Sequence, residues 1–218
     1  MKSDPEIVPT AVGLDADKRL AELHLSRQAL LDAVAFGQAD RHSCTENDPS
    51  SSIGIRVWGK TVRGLRDFLT PSGWRRTRRN GVELTLSPDG TTAIAVTMGD
   101  AATGSKDGMP RTKYEKGQGI QQAVKINGQL SFWPTTSVDI ENNIEPGRPL
   151  ATWLLLLHAG ADSATCELSL PSTIDDDGYV AGWRERIILG DVYTGTPLGE
   201  LLDVEPEIQF DVTRRQEA

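Results

Sequence analysis

Trp74-Arg75-Arg76-Thr77-Arg78-Arg79-Asn80-Gly81-Val82-Glu83-Leu84-Thr85-Leu86-Ser87-Pro88-Asp89-Gly90-Thr91-Thr92-Ala93-Ile94-Ala95-Val96-Thr97 is the stretch that decides the fold class. Asn80-Gly81 supplies the positive φ angles of a tight hairpin turn, and Asp89-Gly90 repeats the signal. Between the turns, Val82, Leu84 and Leu86 alternate with Glu83, Thr85 and Ser87, the period of a strand with one buried and one wet face. The stretch predicts a three-stranded antiparallel meander over residues 74–79, 82–87 and 92–97.

Upstream of the meander the pattern is helical. Trp58, Val62, Leu65 and Leu69 are spaced four, three and four apart, so residues 56–69 read as an amphipathic helix that Pro71 ends. Arg56, Lys60 and Arg63 fall on its other face, with Arg66 at the flank. Ser26 is placed to cap a helix running to about Asp40, with Leu30, Leu31, Val34 and Ala35 as its stripe, and Asp15 to cap a first one. Residues 1–14 read as a flexible tail and 43–52 as a loop.

Downstream, residues 99–119 form a glycine- and lysine-bearing stretch long for a loop in a compact domain, which marks function or mobility. A short helix is predicted at 118–126, ended by Asn127-Gly128. Strands are predicted at 150–158, 165–170 and 182–189, with 207–213 closing the sheet. The order is helices first and strands after. It predicts an α+β fold, a helical N-terminal third followed by a mainly antiparallel sheet with long loops. Residues 15–218 read as one domain, with a sub-boundary near 128–149 as the place where it would divide.

Charge is the most uneven property of the chain. Residues 55–79 carry Arg56, Lys60, Arg63, Arg66, Arg75, Arg76, Arg78 and Arg79 against one acid, Asp67, although the whole chain has a formal charge of −8. From residue 135 onward there are sixteen acids against five arginines, and no lysine follows Lys125. The balance excludes a protein that coats nucleic acid over its entire surface, so any such contact is local. The residues singled out for an anionic partner are Lys60, Arg63, Arg66, Trp74, Arg75, Arg76, Arg78 and Arg79. The arginines suit phosphates or an acidic protein face, and Trp74 would stack on a base. The competing reading is a solvated strand whose arginines pair with the acidic half of the chain.

Other patterns are weaker. Gly54-Ile55-Arg56-Val57-Trp58-Gly59-Lys60-Thr61 matches the phosphate-binding P-loop pattern, but its Ile, Val and Trp fit the helical stripe and no apolar strand precedes it. Glu167 and Glu185, with Asp175, Asp176 and Asp177 in the turn between them, would form a metal-dependent hydrolase site if the fold gathered them. His24, His42 and His158 stand at no metal-ligand spacing, and His158 near Asp162 is the one histidine placed for a catalytic pair. Lys106, Arg111, Lys113 and Lys116 would fold over a ligand if the long loop closed. Cys44 and Cys166 form no Cys-x-x-Cys, which suits a reducing cytoplasm, though the two could still bridge. The N-terminus lacks the apolar core of a signal peptide, and the longest apolar run, Trp153 to Leu157, is too short to span a membrane.

The expectation is a cytoplasmic, non-enzymatic binding or adaptor protein. Its basic helix–hairpin patch would meet nucleic acid or an acidic protein surface, with a protein partner and no membrane. The sequence marks no catalytic residue, metal or cofactor. Three alternatives stay open: an NTP-binding enzyme using Lys60 and Thr61, a metal-dependent hydrolase at the acidic cluster, and a self-associating protein whose opposite poles meet in an oligomer.

Overall fold

The computed structural model describes residues 8–129, 150–160 and 163–193. Its elements run β1 (Thr10–Ala11), α1 (Gly13–Glu22), α2 (Arg27–Ala39), α3 (Ser52–Leu69), β2 (Arg75–Arg79), β3 (Val82–Leu86), β4 (Thr92–Met98), α4 (Gln118–Gln129), β5 (Ala151–Ala159), β6 (Ser163–Ile174) and β7 (Val180–Tyr193), with short 3-10 turns after α2 and α3. Seven strands form one sheet in the order β1-β7-β6-β5-β4-β3-β2.

The fold is α+β, but the sheet is mixed. β4 pairs with β5 in parallel from Thr92↔Ala151 to Met98↔Leu157, and β1 pairs in parallel with β7. The remaining neighbours are antiparallel. Helices are also not confined to the N-terminal third, since α4 lies between the two parallel strands. The physical reason is the connection: parallel neighbours cannot be joined by a hairpin and need a crossover, here the one that contains α4. Thr10–Ala11, expected in a flexible tail, add a short strand to the β7 edge. The strand expected at 207–213 and most of the 128–149 sub-boundary lie outside the described residues.

The meander forms as its turns require. Asn80 and Gly81 both adopt positive φ (48° and 79°), as does Gly90 (71°). Five pairs join β2 to β3, whereas β3 and β4 pair only at Thr85↔Ile94 and Leu86↔Ala93. Beyond that point β3 leaves β4, and the sheet is open between Val82–Leu84 on one side and Ala95–Thr97 on the other.

Each sheet face carries its own core. On one, α1, α2 and α3 bury Leu20, Leu30, Val34, Val57 and Leu65 against Trp153, Leu155, Leu157, Leu168 and Ile187. On the other, Val124 of α4 packs with Leu84, Leu86, Leu154, Leu156 and Trp183. β5 feeds both faces in alternation, which is why the unbroken apolar run from Trp153 to Leu157 belongs at the sheet centre. At ~25 cal/mol per Å², burying each such side chain contributes roughly 1.5–3 kcal/mol.

Helices begin and end for identifiable reasons. Ser26 caps α2, its Oγ accepting from Ala29 N–H at 3.2 Å. α1 instead starts at Gly13, so Asp15 sits inside its first turn rather than at the cap. α2 and α3 approach closely because Gly37 leaves room: a Cβ there would stand 1.9 Å from Thr61 Oγ1 and 2.8 Å from the Val57 carbonyl. α4 runs through Asn127-Gly128 instead of stopping there. The buried Asn127 amide donates to the Thr152 and Pro171 carbonyls at 2.8 and 3.2 Å and accepts from Thr152 N–H at 3.0 Å. It ties α4 to the start of β5 and to β6. No helix among the described residues is long and apolar enough to cross a membrane.

Candidate functional site

β2 is the terminal strand of the sheet, so among the described residues no further strand pairs with its outer side. Alternation divides its arginines between the two faces. Trp74, Arg76 and Arg78 share the α3 face, and Arg75 and Arg79 the other. Trp74 is 2% exposed, packed into the core beneath the helices, so it offers no platform for a base. Along α3, Lys60 pairs with Asp40 at 3.3 Å and Arg63 with Asp67 at 3.3 Å, and both cations lie over the Phe36 ring. Glu83 accepts from Arg66 at 2.8 Å and stands 3.5 Å from Arg78. A groove of ≈ 350 Å³ runs between α3 and β2, lined by Arg63, Arg66 and Arg76 with Asp67 as its one acid. The fold thus brings together Arg63, Arg66, Arg76 and Arg78. It leaves Arg75 and Arg79 across the sheet and buries Trp74.

The octapeptide from Gly54 to Thr61 lies within α3. From Ile55 onward its amides bond within the helix, starting with Ile55 N–H to the Ser51 carbonyl at 3.1 Å, so they form no cradle for phosphate. The acidic residues are dispersed. Glu185 accepts from Arg19 at 2.6 Å on the helical face, while Asp175 and Asp177 are held by Arg111 at 2.7 and 3.3 Å. Burial alone would raise the Asp175 carboxyl, but the Tyr179 amide and Arg111 more than offset it and hold it low. Among the described residues no group of three His, Cys, Asp or Glu side chains could hold a metal ion. His158 is the penultimate residue of β5, opposite Thr165, and Asp162 lies outside the described residues. Both cysteines are free thiols, and burial, with Asp191 and Glu167 nearby, pushes Cys166 up to about 12, which leaves it unreactive.

Glu167 turns out to be the centre of a buried charge pair. It is 0% exposed, and Arg186 is 1% exposed. Arg186 Nη2 and Nε donate to the two carboxylate oxygens at 2.6 and 3.0 Å. Ser169 Oγ and Gly104 N–H donate to the same carboxylate at 2.7 Å each. The guanidinium continues to the carbonyls of Gly108 and Ser105 at 2.6 and 3.0 Å. The long segment over 99–117 is thereby fastened to β6 and β7. Trp183 Nε1 adds a bond to the Pro110 carbonyl at 2.8 Å, and Thr112 and Val180 exchange two more. No sequence pattern marks this pairing, because nothing in either strand announces which residue Glu167 or Arg186 will meet.

At the opening between β3 and β4 the arrangement is different. Trp58 Nε1 reaches in from α3 and donates to the Val96 carbonyl at 3.1 Å. Lys116, just before α4, reaches in from the other face and donates to Thr97 Oγ1 at 2.8 Å. They border a slot of ≈ 300 Å³ between the parted strands. Trp58, Val96 and Thr97 also border a larger groove of ≈ 610 Å³, where the C-terminal ends of the parallel pair β4–β5 meet the start of α3. Arg41, Lys113 and Tyr114 stand on its walls, and no acid among the described residues lines it. Lys116 is half-buried, and burial alone lowers its ammonium to about 8. Among the described residues it has no carboxylate at ion-pairing distance. Of the loop's four cations, Arg111 is held by the acidic turn, Lys113 lines the larger groove and Lys116 lines the slot.

Compared with models of protein families, with curated proteins and with solved structures, the chain matches none of them.

Proposed function

We propose that the protein is a non-enzymatic binding or adaptor protein whose basic pole takes up an acidic, extended segment of a partner protein. The observation that supports this reading is the coincidence of the arginines with an open sheet edge. Among the described residues β2 pairs with a strand on one side only, and it carries arginines on both of its faces. An acidic strand added to that edge would gain main-chain hydrogen bonds and would meet Arg76 and Arg78 on one face and Arg75 on the other. The α3–β2 groove would hold its acidic side chains against Arg63 and Arg66. A row of arginines also repels a second copy of itself, which guards the edge against self-pairing while leaving it open to the opposite charge. Nucleic acid fits less well, because Trp74 is buried and supplies no stacking surface.

The test is fluorescence anisotropy of a labelled peptide with alternating glutamate and valine, beside labelled single- and double-stranded DNA and RNA, across a salt series. Peptide binding should weaken with salt and vanish when Arg75, Arg76, Arg78 and Arg79 are all replaced by alanine. Preferential binding of nucleic acid, with a salt slope that flattens in the variant, would transfer the basic pole to a phosphate backbone. No binding of either at low salt would overturn the proposal.

A further inference from the structure

A half-buried ammonium without a counter-charge is costly, and proteins keep such a group neutralised unless something else supplies the negative charge. Lys116 meets that description in the slot, which shares Trp58, Val96 and Thr97 with the larger groove. Two acids line the slot, and neither stands at ion-pairing distance from Lys116. Glu83, from β3, is held by Arg66 and Arg78, and Glu115, from the loop itself, is exposed, with its Cβ and Cγ against Gly178. Among the described residues the adjoining groove adds Arg41 and Lys113 and is lined by no acid, so the field within it is positive.

Its walls are apolar in an unusual way. Nine large apolar side chains are exposed among the described residues, and four of them, Ile53, Ile55, Trp58 and Tyr114, line this one groove. Trp58 is 38% exposed although its N–H is bound inside the sheet, so its ring presents a fixed flat face to the cavity mouth. The volume is that of a small-molecule site, and its position at the C-terminal ends of adjacent parallel strands is where α/β sheets place ligands.

We propose that the groove and slot together bind a small amphipathic anion, a carboxylate or phosphate on a flat apolar body, with Lys116 as its counter-charge and Trp58 and Tyr114 as its walls. This site is separate from the basic pole and does not depend on the function proposed for it.

The probe is 2-naphthoate, compared with its neutral isostere 2-naphthamide, by calorimetry and tryptophan fluorescence. Naphthoate should bind one-to-one at pH 7, at least tenfold tighter than the amide. Its affinity should fall between pH 7 and pH 9.5, as the Lys116 ammonium loses its proton, while the amide is unaffected. Lys116→Met should bring the two ligands level and abolish the pH step, and Trp58→Leu should weaken both. Arg76→Ala should change none of this. Equal binding of naphthoate and naphthamide by the wild type would overturn the proposal without recourse to any variant. So would no detectable naphthoate binding at millimolar concentration, or a charge preference that survives Lys116→Met in a folded protein.

Discussion

Arg186 and Lys116 are two cations on the same face of one sheet, and their surroundings are opposite. Arg186 is enclosed, and its donors are distributed over a carboxylate and two carbonyls. Lys116 stands at an opening, holds one hydroxyl and meets no carboxylate among the described residues. The first charge is complete within the chain and fastens the 99–117 segment. The second is incomplete and lowers the energy of anything negative that arrives. Burial of charge therefore serves construction at one end of the loop and reception at the other.

Several substitutions would sharpen this contrast or break it. Arg186→Met leaves the Glu167 carboxylate buried without its partner and should cost about 3–5 kcal/mol in urea unfolding. A loss under ~1 kcal/mol would mean that the pair does not fasten the loop. Trp183→Phe removes a single bond to the Pro110 carbonyl and should cost about 1 kcal/mol, with faster amide exchange confined to the loop. Lys116→Met should not destabilise at pH 7, because it removes a desolvated charge. An unfolded lysine titrates near ~10.4, whereas Lys116 in the fold titrates at about 8. Between those values the unfolded chain holds the extra proton, so wild-type stability rises with pH relative to the variant. The variant's advantage should thus shrink above pH 8 and disappear by about pH 10.5. A difference independent of pH would remove Lys116 from the contrast. The smallest stability effect belongs to Arg76→Ala, within ~0.5 kcal/mol as for other surface changes, yet it should weaken binding of the acidic peptide.

The local parts of the fold were legible in the sequence. Asn80-Gly81, Asp89-Gly90, the Ser26 cap and the stripe of α3 each specify their geometry through backbone sterics or periodicity within a few residues. The parallel seam was not, because alternation along β5 is the same whichever way its neighbour runs. The available sign was the five-residue apolar run from Trp153 to Leu157, which demands burial on both faces, together with a helix between two strands. Trp74 reads as exposed from its sequence neighbours, since its companions by direction are Arg76 and Arg78, but its burial is decided by α3. Lys116 could not be distinguished from Lys106, Arg111 or Lys113. What separates them is which carboxylates the distant turn at 175–178 supplies, and that turn takes Arg111.

The seam between β4 and β5 also fixes an order of events. β2, β3 and β4 are joined by short turns, and β5, β6 and β7 likewise, so each set can zip locally. Thr92 meets Ala151 only after the long intervening segment has closed on itself, and closure of that kind slows assembly. The chain should therefore reach its native state through two independently formed half-sheets, with the rate limited by their meeting. Pulse-labelled amides of β6 and β7 should gain protection before those at the seam.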